Sequence, residues 1–544
     1  MKKVLVIGSG ISGITCAIEC AYKGIKAVLV SPYPSERAQS VLAAGGINAV
    51  LPGPDGDSIE SHIEDTLKGG CFVAGRDAVR GLCEDAPDII RWLETLGTVF
   101  STDEDGTIKR RAFGGQSYKR TCYCGSSTGK QIVTALVMEA RRLEGAGLIE
   151  RLYGLWFHSA LIRDGKCHGA IFHNGNSGCF EILTADSVVM ATGGQNALFG
   201  KTTGSTLCDG YSAGRLFLQG VDLKNLEFIQ YHPTTIETGQ KRMLISEAVR
   251  GEGGRLYYEE GGRRVYFMED RFGPGGNLKS RDVCTRCIEE TGRDTVYLDI
   301  SFLGKEEIMK RIPEVYELCL KYRGIDISRQ SIPVSPSVHF FMGGIAVNNE
   351  HETNIRDLFA VGECASIYHG ANRLGGNSLL AAIHGARIVA ASLKNGTEDT
   401  GAEDFTAELE SAKDELASKR NTASQFPVMY IRDLLAESMK QNLGIVRNED
   451  RLKAGIDDVD YYLSIADKIR YDESEPAYLA YSLDPILTLA RATLVCALYR
   501  QESRGSHLRS DYPDTSDDYD TSTIISYDAG RFTTCPDREG RYEN

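Results

Sequence analysis

Three glycines near the start of the chain have the spacing of a phosphate-binding turn. Gly8, Gly10 and Gly13 form a GxGxxG pattern between the apolar run VLVI and a segment of helical periodicity. In such a turn the first glycine permits a tight bend, the second lets the backbone approach a pyrophosphate, and the third lets the helix pack on the strand. The helix N-terminus supplies amides to the phosphates. We expect a dinucleotide site here rather than a glycine-rich turn without a cofactor.

Strands that resemble the one before this turn are predicted over most of the chain. The second strand, predicted over 25–30, is followed by Ser31, where NAD sites usually carry Asp or Glu. Two later apolar strands end in VVMATGG at 188–194 and FAVGE at 359–363, and CDG at 208–210 opens a helical run between them. Strands that end in small residues and a carboxylate indicate an FAD domain of two Rossmann halves interrupted by insertions, an α/β fold.

Composition limits the partners of the chain. With 61 Lys and Arg against 75 Asp and Glu among 544 residues, the formal charge is −14, which disfavours broad attraction to nucleic acid or anionic lipid. An anionic substrate must therefore be held by local positive groups. We find no stretch of about 18 uninterrupted apolar residues and so predict no transmembrane helix. The excess of Gly (58) over Pro (15) suggests close backbone approach to ligands rather than disorder.

The cysteines indicate a reducing compartment. Their number, 15, is odd and they are scattered, which argues against a disulfide framework and predicts a cytoplasmic protein. Two close pairs, Cys122/Cys124 and Cys284/Cys287, could form a redox or metal site only if the fold joined distant segments, so we interpret them as free thiols and predict no metal site. No four closely spaced cysteines occur, so electrons must reach a flavin from outside the chain.

Longer motifs make a family resemblance specific. In order along the chain these are SVLAAGGINAV, RAFGGQS, QYHPT, ISEAVRGEGG, SRDV, SVHFFMGG, VGECAS, HGANRLGGNSL and ESRGSHLRSDYP. They resemble the flavoprotein subunits of fumarate reductases and succinate dehydrogenases, a family to which the L-aspartate oxidases are related. The similarity runs from residue 3 to about residue 513.

The resemblance implies a substrate site assembled from dispersed residues. Residues matching those that bind the two carboxylates of a C4 dicarboxylate are His232, Ser246, His339 and Arg373. Ser246 replaces the Thr usual in the family but keeps the hydroxyl. Arg281 matches the proton-donating Arg, and Glu247 and Arg250 match the groups that relay protons to it. Two Arg and two His are also what a dianion needs in an acidic protein, because they offer charge-assisted hydrogen bonds.

The implied reaction is hydride transfer from flavin N5 to fumarate, with Arg281 protonating the other alkene carbon. Motif matches also assign the flavin contacts, with Asp209 and Glu363 expected at the ribityl chain or ribose. We expect the pyrophosphate at Gly8, Ser9, Gly10 and Gly13, the adenosine at Ser31, the isoalloxazine at Ser40, Gly45 and Gly46, and its pyrimidine ring at the helix start Asn377, Ser378 and Leu379.

Two departures from the family pattern narrow the expectation. Gln39 stands where membrane-linked members carry the His that bonds covalently to the flavin, so we predict non-covalent FAD. L-aspartate oxidases carry Glu before the Gly pair of RAFGGQS, where it meets the substrate ammonium, whereas this chain has Phe113. An apolar ring leaves an ammonium unpaired, which favours fumarate or succinate. L-aspartate oxidase and a reductase of another unsaturated carboxylate remain as alternatives, whereas the intact Arg281, His339 and Arg373 argue against a non-enzymatic electron-transfer scaffold.

We expect four structural parts. A discontinuous FAD-binding domain would span 1–231 and 338–398, with an α+β capping domain at 232–337 whose closure completes the site. A helical domain would follow at 399–510, and then an acidic tail at 511–544 that is either a solvated extension or a partner contact. By resemblance the electron donor is an iron–sulfur subunit, and any membrane attachment, at the inner face, would come through partner subunits.

Overall fold

A five-stranded parallel sheet carries the N-terminal glycine turn. The computed structural model describes residues 2–53, 56–125, 127–239, 241–393, 404–420, 426–470, 475–538 and 542. From one edge of the sheet to the other, its strands are Leu358–Ala360, Ser187–Met190, Lys3–Ile7, Lys26–Ser31 and Ile149–Tyr153. The pairing is parallel throughout, which confirms the predicted α/β fold. The carboxyl ends of these strands therefore meet at one edge, where ligands of such sheets bind.

Helices cover one face of this sheet, and an antiparallel sheet covers the other. The first, Ile11–Tyr22, packs so closely on its strand that a Cβ at Gly13 would lie 1.8 Å from the carbonyl oxygen of Gly8. Gly8 itself has φ +114 and would clash with Ala191 on the neighbouring strand. The other helices of this part are Ile59–Gly69, Arg76–Thr95, Thr128–Gly145, Tyr211–Leu218 and Asn377–Ser392.

Two smaller sheets flank the parallel one. Leu155–Arg163, Lys166–Asn174 and Phe180–Thr184 form an antiparallel sheet whose inner face joins the largest hydrophobic core. The second sheet consists of the two-residue strands Ile47–Asn48, Thr121–Cys122 and Arg110–Arg111. It brings the segments after AAGGINA and RAFGGQS next to each other.

A six-stranded antiparallel sheet forms most of the region predicted as the cap. In spatial order its strands are Arg242–Leu244, Ile229–Glu237, Ile332–Phe341, Val296–Asp299, Arg255–Glu260 and Arg263–Val265. The helices of this region are Ala248–Gly251, Phe267–Phe272, Arg281–Glu290, Gly304–Arg311 and Pro313–Arg323. They enclose a separate apolar core. The predicted limits of the cap, residues 232 and 337, fall inside the two longest strands of this sheet, where His232 pairs with Ser337. The division into domains stays a prediction.

Four helices follow, Thr406–Arg420, Val428–Asn442, Glu449–Ser464 and Ala477–Tyr499. The predicted boundary at 398/399 lies outside the described residues. The first helix is joined to the FAD-binding part by Glu415, which forms a 2.6 Å ion pair with Arg215. Burial opposes the charge of Glu415, but His158 and Arg215 outweigh it and lower its pKa to about 2.

One of these helices has the length and composition of a membrane span, although Asp484 and Arg491 interrupt its apolar sequence. Ala477–Tyr499 has 23 residues and a mean hydropathy of 1.2 in its most apolar window, of which 78% is buried inside the fold. It packs on Tyr211–Leu218 so tightly that a Cβ at Gly214 would lie 2.1 Å from the carbonyl oxygen of Pro485. Its apolar residues are thus accounted for as core.

The C-terminal segment is folded against the body of the protein. Thr523–Asp528 and Arg531–Pro536 form a hairpin that extends the sheet Ala365–Ser366, Gly344–Ala346 and Leu223–Lys224. Ile524 and Ile525 are fully buried. This differs from a solvated extension, because alternate apolar and β-branched residues within the acidic segment suit a strand edge. Two short strand pairs, Phe426–Pro427 with Ile469–Arg470 and Val446–Arg447 with Leu508–Arg509, complete the fold.

Candidate active site

A cavity of about 620 Å³ extends from the glycine turn to the cap. Its walls combine the carboxyl ends of the parallel strands with loops from later segments. Most of the predicted flavin residues line it: Gly8, Ser9, Gly10, Ser31, Ser40, Gly45, Gly46, Asp209, Glu363, Ser378 and Leu379. Ser40 also binds the helix start, since its Oγ accepts a hydrogen bond from the amide of Ile11 at 3.2 Å.

Two predicted flavin residues do not line the cavity. Gly13 packs under the turn against Gly8, so it shapes the site rather than touching a ligand. Asn377 is fully buried, and its side chain binds Asn48 at 2.7 Å and His62 at 3.1 Å. It fixes the loop behind the cavity. In both cases the motif match could not distinguish a residue that lines the cavity from one that supports the lining residues.

The Asp209 carboxylate is held by the helical region. It accepts hydrogen bonds from the hydroxyl of Tyr478 at 2.7 and 2.8 Å and pairs with Arg432 at 3.2 Å. Tyr478 also lines the cavity and lies 4.4 Å, ring to ring, from Trp156. Sequence reasoning missed both partners, because they lie more than 200 residues away. The helical region therefore contributes to the cofactor end of the cavity.

Glu363 is the carboxylate that ends the strand Leu358–Ala360. Its Oε1 accepts a hydrogen bond from the amide of Phe341 at 3.1 Å. Burial raises the pKa of Glu363 to about 7, although this amide and Arg373 favour the charged form. At neutral pH this carboxyl can both accept and donate a hydrogen bond, as a ribityl or ribose contact would require.

The opposite end of the cavity is built on the two long antiparallel strands of the cap sheet. Gln230 pairs with Phe340 and Tyr231 with Val338, so His339 is the extra residue of a bulge. A bulge redirects a side chain, and the ring of His339 lies 5.2 Å from that of His232. His339 lines the cavity and its Nδ1 is 2.9 Å from the Thr203 hydroxyl.

His232 is fully buried at this end, and its Nε2 has no hydrogen-bond partner among the described residues. Burial and Arg281 lower the pKa values of His232 and His339 well below the usual range, so both rings are neutral at physiological pH. Each can therefore present one N–H donor to an anion.

Arg281 and Arg373 meet at one side chain that sequence reasoning missed. Gln230 Oε1 accepts hydrogen bonds from Arg281 Nη1 and Arg373 Nη2, each at 3.0 Å. Its Nε2 donates to the Asn372 side chain and to the Arg373 carbonyl, both at 2.8 Å. Gln230 lies two residues before His232 on the same strand, so a period of two places both on one face. That spacing was the available signal.

Behind Arg281 lies a buried chain of charges. Glu247 Oε2 accepts a 2.9 Å hydrogen bond from Arg281 Nε, and Glu247 Oε1 lies 3.0 Å from Arg250 Nη2. Burial opposes the Glu247 charge, but Arg281, Arg250 and the Gly114 amide, which donates at 2.9 Å, together lower its pKa. Of the three ionic groups only Arg281 lines the cavity. This order suits a relay that leads from the site into the protein.

Ser246 and Phe113 complete the walls of this end. Both are nearly buried and line the cavity. The Ser246 hydroxyl accepts a long 3.3 Å hydrogen bond from the Ala248 amide and keeps its proton free to donate. The ring of Phe113 lies between the loop that contains Gly45 and the loop that contains Gly375. A Cβ added at Gly45 would lie 3.3 Å from this ring, and a Cβ added at Gly375 would lie 3.1 Å from it. No charged group replaces the ring at this position.

The cavity fits a large polar cofactor such as FAD. Its lining includes the glycine turn of residues 8–13 at one end. Farther along it includes two buried polar atoms, Gln39 Oε1 and His369 Nδ1, that have no hydrogen-bond partner among the described residues. Such atoms are costly unless a ligand satisfies them. Elsewhere in the described part of the chain no group of three His, Cys, Asp or Glu could hold a metal, and Cys122, Cys124, Cys284 and Cys287 are buried free thiols.

Comparison with known proteins agrees with this geometry. Residues 3–379 match the FAD binding domain family and residues 432–535 the fumarate reductase flavoprotein C-terminal family. The chain is 35% identical to the succinate dehydrogenase flavoprotein subunit of Bacillus subtilis, over 95% of this chain and 92% of that one. It is 34% identical to the L-aspartate oxidase of Pyrococcus furiosus, over 96% and 98%. A structure of an E. coli quinol fumarate reductase variant superposes with a TM-score of 0.89 at 29% identity, covering 98% of this chain and 97% of that one.

Proposed function

Because the chain belongs to the flavoprotein family of fumarate reductases and succinate dehydrogenases, and is thus an FAD-dependent oxidoreductase, we propose that it interconverts fumarate and succinate. The convergence of Arg281, Arg373 and His339 at one end of the cavity, with the ring of the fully buried His232 5.2 Å from that of His339, carries this proposal. Two guanidinium groups and two neutral imidazoles offer donors for two carboxylates.

The substrate residues divide the work by position. Arg373, held over the Phe340 ring at 4.2 Å, would grip one carboxylate together with the imidazole of His339. His232 and the Ser246 hydroxyl would hold the other. Charge-assisted donors fixed in place before binding also stabilise negative charge as it develops on the substrate carbon. Closure of the predicted cap would exclude water from this end.

Arg281 would supply the proton. Bound FAD supplies the chemistry of hydride transfer to and from the substrate carbon. In the direction of fumarate reduction, Arg281 would donate a proton to the neighbouring carbon. The ionised Glu247 carboxylate, bonded to Arg281 Nε at 2.9 Å, would take a proton from Arg250 at 3.0 Å and pass it to Arg281. Arginine is an unusual acid, and immediate reprotonation by Glu247 makes this role feasible.

L-aspartate oxidation is the second candidate, because the chain is as similar to such an oxidase as to other relatives. Phe113 opposes it. The ring occupies the wall between the glycine loops of Gly45 and Gly375, where an ammonium group would find no acceptor. Burying an unpaired charge costs several kcal/mol, on the order of 3–5.

The decisive experiment compares substrates on one preparation. Fumarate reduction is measured with a reduced viologen dye, and oxidation of succinate and of L-aspartate with an oxidising dye. We expect turnover with fumarate and succinate and none with aspartate. Turnover with aspartate alone would refute the proposal and establish the oxidase, and reduction of a different unsaturated acid in preference to fumarate would redirect it.

We further propose that FAD is bound without a covalent link. Gln39 lines the cavity, and its side chain cannot form the bond that a histidine would. Acid precipitation should release all the yellow flavin into the supernatant. Flavin that stays with the precipitate would contradict this.

The electron partner is proposed to be an iron–sulfur subunit, through which the protein would be peripheral to the inner face of the membrane in the cytoplasm. Relatives are named as flavoprotein subunits, and the described part of the chain holds no metal cluster of its own. Purification from the native host should yield a cysteine-rich companion at a fixed ratio. A flavoprotein that remains alone and turns over with a soluble carrier would contradict the proposal.

A further inference from the structure

The proposed proton relay ends inside the protein. Arg250 is 1% exposed, so it cannot collect protons directly from solvent. Besides Glu247, the partners of its guanidinium are all contacts of Nη1: the carbonyl oxygens of Asn277 at 2.7 Å and Lys279 at 3.3 Å, and the sulfur of Cys284 at 3.2 Å. The relay needs an outer member among these three.

Only one of these partners can exchange a proton. A backbone carbonyl accepts a hydrogen bond but has no proton to give, whereas a thiol both accepts and donates. The Cys284 sulfur accepts from Arg250 and lies 3.3 Å from the Lys279 carbonyl, toward which its S–H points. Cys284 is therefore the group through which a proton can enter Arg250.

The helix Arg281–Glu290 explains why this thiol lies where it does. Residues three apart are neighbours on a helix surface, so the helix that begins with Arg281 places Cys284 one turn farther in. The chain Arg281, Glu247, Arg250 and Cys284 then starts and ends on one rigid element.

The surroundings keep the thiol protonated. Burial raises the pKa of Cys284 to about 11, while Arg250 favours the thiolate and Glu247, Asp282 and Cys287 disfavour it. Cys287, one turn later, lies 3.5 Å from Arg271 Nη1, whose side chain is half exposed. Cys287 and Arg271 therefore lead from the buried end of the relay toward the surface.

We propose that Cys284 is a positioning residue that holds Arg250 and returns a proton to it after each turnover. The proposal rests on the proposed function. When Arg250 has passed its proton to Glu247, the S–H bond of Cys284 breaks and an N–H bond forms on the neutral guanidine. The resulting thiolate lies beside a guanidinium and, because Cys284 is itself fully buried, takes its proton from the thiol of Cys287, its neighbour one helical turn away. Cys287 regains a proton from Arg271 at 3.5 Å, whose half-exposed guanidinium exchanges with solvent. Only protons move, so no electron is transferred.

Three variants test the role in the full-length, FAD-loaded protein. C284V removes the proton and the acceptor at similar volume, and C284S keeps a hydroxyl in their place. C319V is the matched control, because Cys319 is also a fully buried cap cysteine and burial alone raises its pKa. The measurements are kcat and KM for fumarate, the solvent deuterium isotope effect on kcat, the Kd of succinate from flavin absorbance, and the thermal unfolding midpoint.

We expect C284V to lower kcat about tenfold or more and to raise the isotope effect, with KM and the succinate Kd unchanged. C284S should recover most of the rate, and C319V should match the wild type in rate at an unfolding midpoint similar to that of C284V. If the wild type is active and C284V shows the same rate and isotope effect as the wild type, the role of Cys284 is refuted and the proposed function is not. A loss of rate and succinate binding together, without rescue by C284S, also overturns it. A wild type that reduces no dicarboxylate overturns the proposed function and the relay with it.

Discussion

Replacing Gln230 with Leu should separate substrate binding from folding. Gln230 is 1% exposed, and its carbonyl oxygen is the shared acceptor of Arg281 and Arg373 at 3.0 Å each. Leucine has a similar volume and no polar atom, so the change removes the acceptor without opening a large cavity. Both guanidinium groups then lose the contact that fixes their separation across the substrate site.

The expected magnitude follows from the bonds that are lost. A hydrogen bond to a charged group contributes about 1.5–3 kcal/mol. A bound dicarboxylate supplies new acceptors to both arginines, so we count the loss of one such bond in the transition state. A loss of about 1.5–3 kcal/mol corresponds to a ten- to hundredfold fall in kcat/KM for fumarate. The two donors to Asn372 and to the Arg373 carbonyl also disappear, which should destabilise the fold by about 1–3 kcal/mol.

The assay pairs kcat/KM for fumarate, measured with a reduced dye, with the thermal unfolding midpoint. Gln219→Leu is the control, because it makes the same change of side chain away from the cavity and removes two hydrogen bonds, those with the Ala160 amide and carbonyl at 3.0 and 2.8 Å, against four at Gln230. The control should lose stability and keep its activity. A Gln230→Leu enzyme that retains flavin and stays within twofold of wild-type kcat/KM would refute the assignment of the bridge.

The remaining predictions concern the proton donor, the flavin cradle and acid stability. Arg281→Met should lower fumarate turnover by about 10²–10⁴-fold while succinate still perturbs the flavin spectrum; activity within tenfold of wild type would exclude this Arg as the acid. Gly376→Ala should reduce the flavin content of the purified protein, because Gly376 has φ +87 and the added Cβ would lie 2.1 Å from a buried amide oxygen. Gly24→Ala is the control, because Gly24 has φ +74 but nothing within 4 Å of the added Cβ, and it should keep its flavin. Equal flavin content in both variants would contradict a role of Gly376 in shaping the flavin site. Glu415, with a folded pKa of about 2, stabilises the fold above its unfolded pKa and loses that contribution as the pH falls toward 2. The wild type should therefore lose up to about 3 kcal/mol more than Glu415→Gln between pH 5 and pH 2 in urea unfolding, and parallel pH profiles would be inconsistent with it.

The parts of the fold that depend on local sequence were predictable. Apolar β-branched runs followed by a glycine turn mark three of the five strands of the parallel sheet, Lys3–Ile7, Ser187–Met190 and Leu358–Ala360, because these turns need positive φ or close backbone approach. Gly8, with φ +114 and no room for a Cβ, is such a position. The motif residues Arg281, Arg373, His232 and His339 are likewise brought together as the resemblance implied.

The parts that depend on cross-strand register were not predictable. His339 is directed to the cavity by a bulge, and no feature of SVHFFMGG indicates that one residue is unpaired. Gln230 is recognisable as functional only when Arg281 and Arg373, 51 and 143 residues away, are seen to meet at its oxygen. Asn377 illustrates the converse, since a motif position proved to be buried behind the cavity. Motifs thus identify a neighbourhood, and packing decides which member faces the ligand.

The balance of buried charge favours the proposed dianionic substrate in this acidic chain. Three guanidinium groups, those of Arg250, Arg281 and Arg373, face one carboxylate, Glu247, while the two histidines are neutral. This leaves two positive charges among these groups when Glu363, which lies near Arg373 and has a pKa of about 7, is protonated. Burial and the nearby Arg281 lower the pKa of Arg373, so the two charges are costly to hold without a partner. Two carboxylates neutralise both, whereas a monoanion leaves one uncompensated, and the strongly negative surface disfavours anions everywhere else. Selectivity for the proposed dicarboxylate would thus follow from the same unpaired charge that makes the empty site unfavourable.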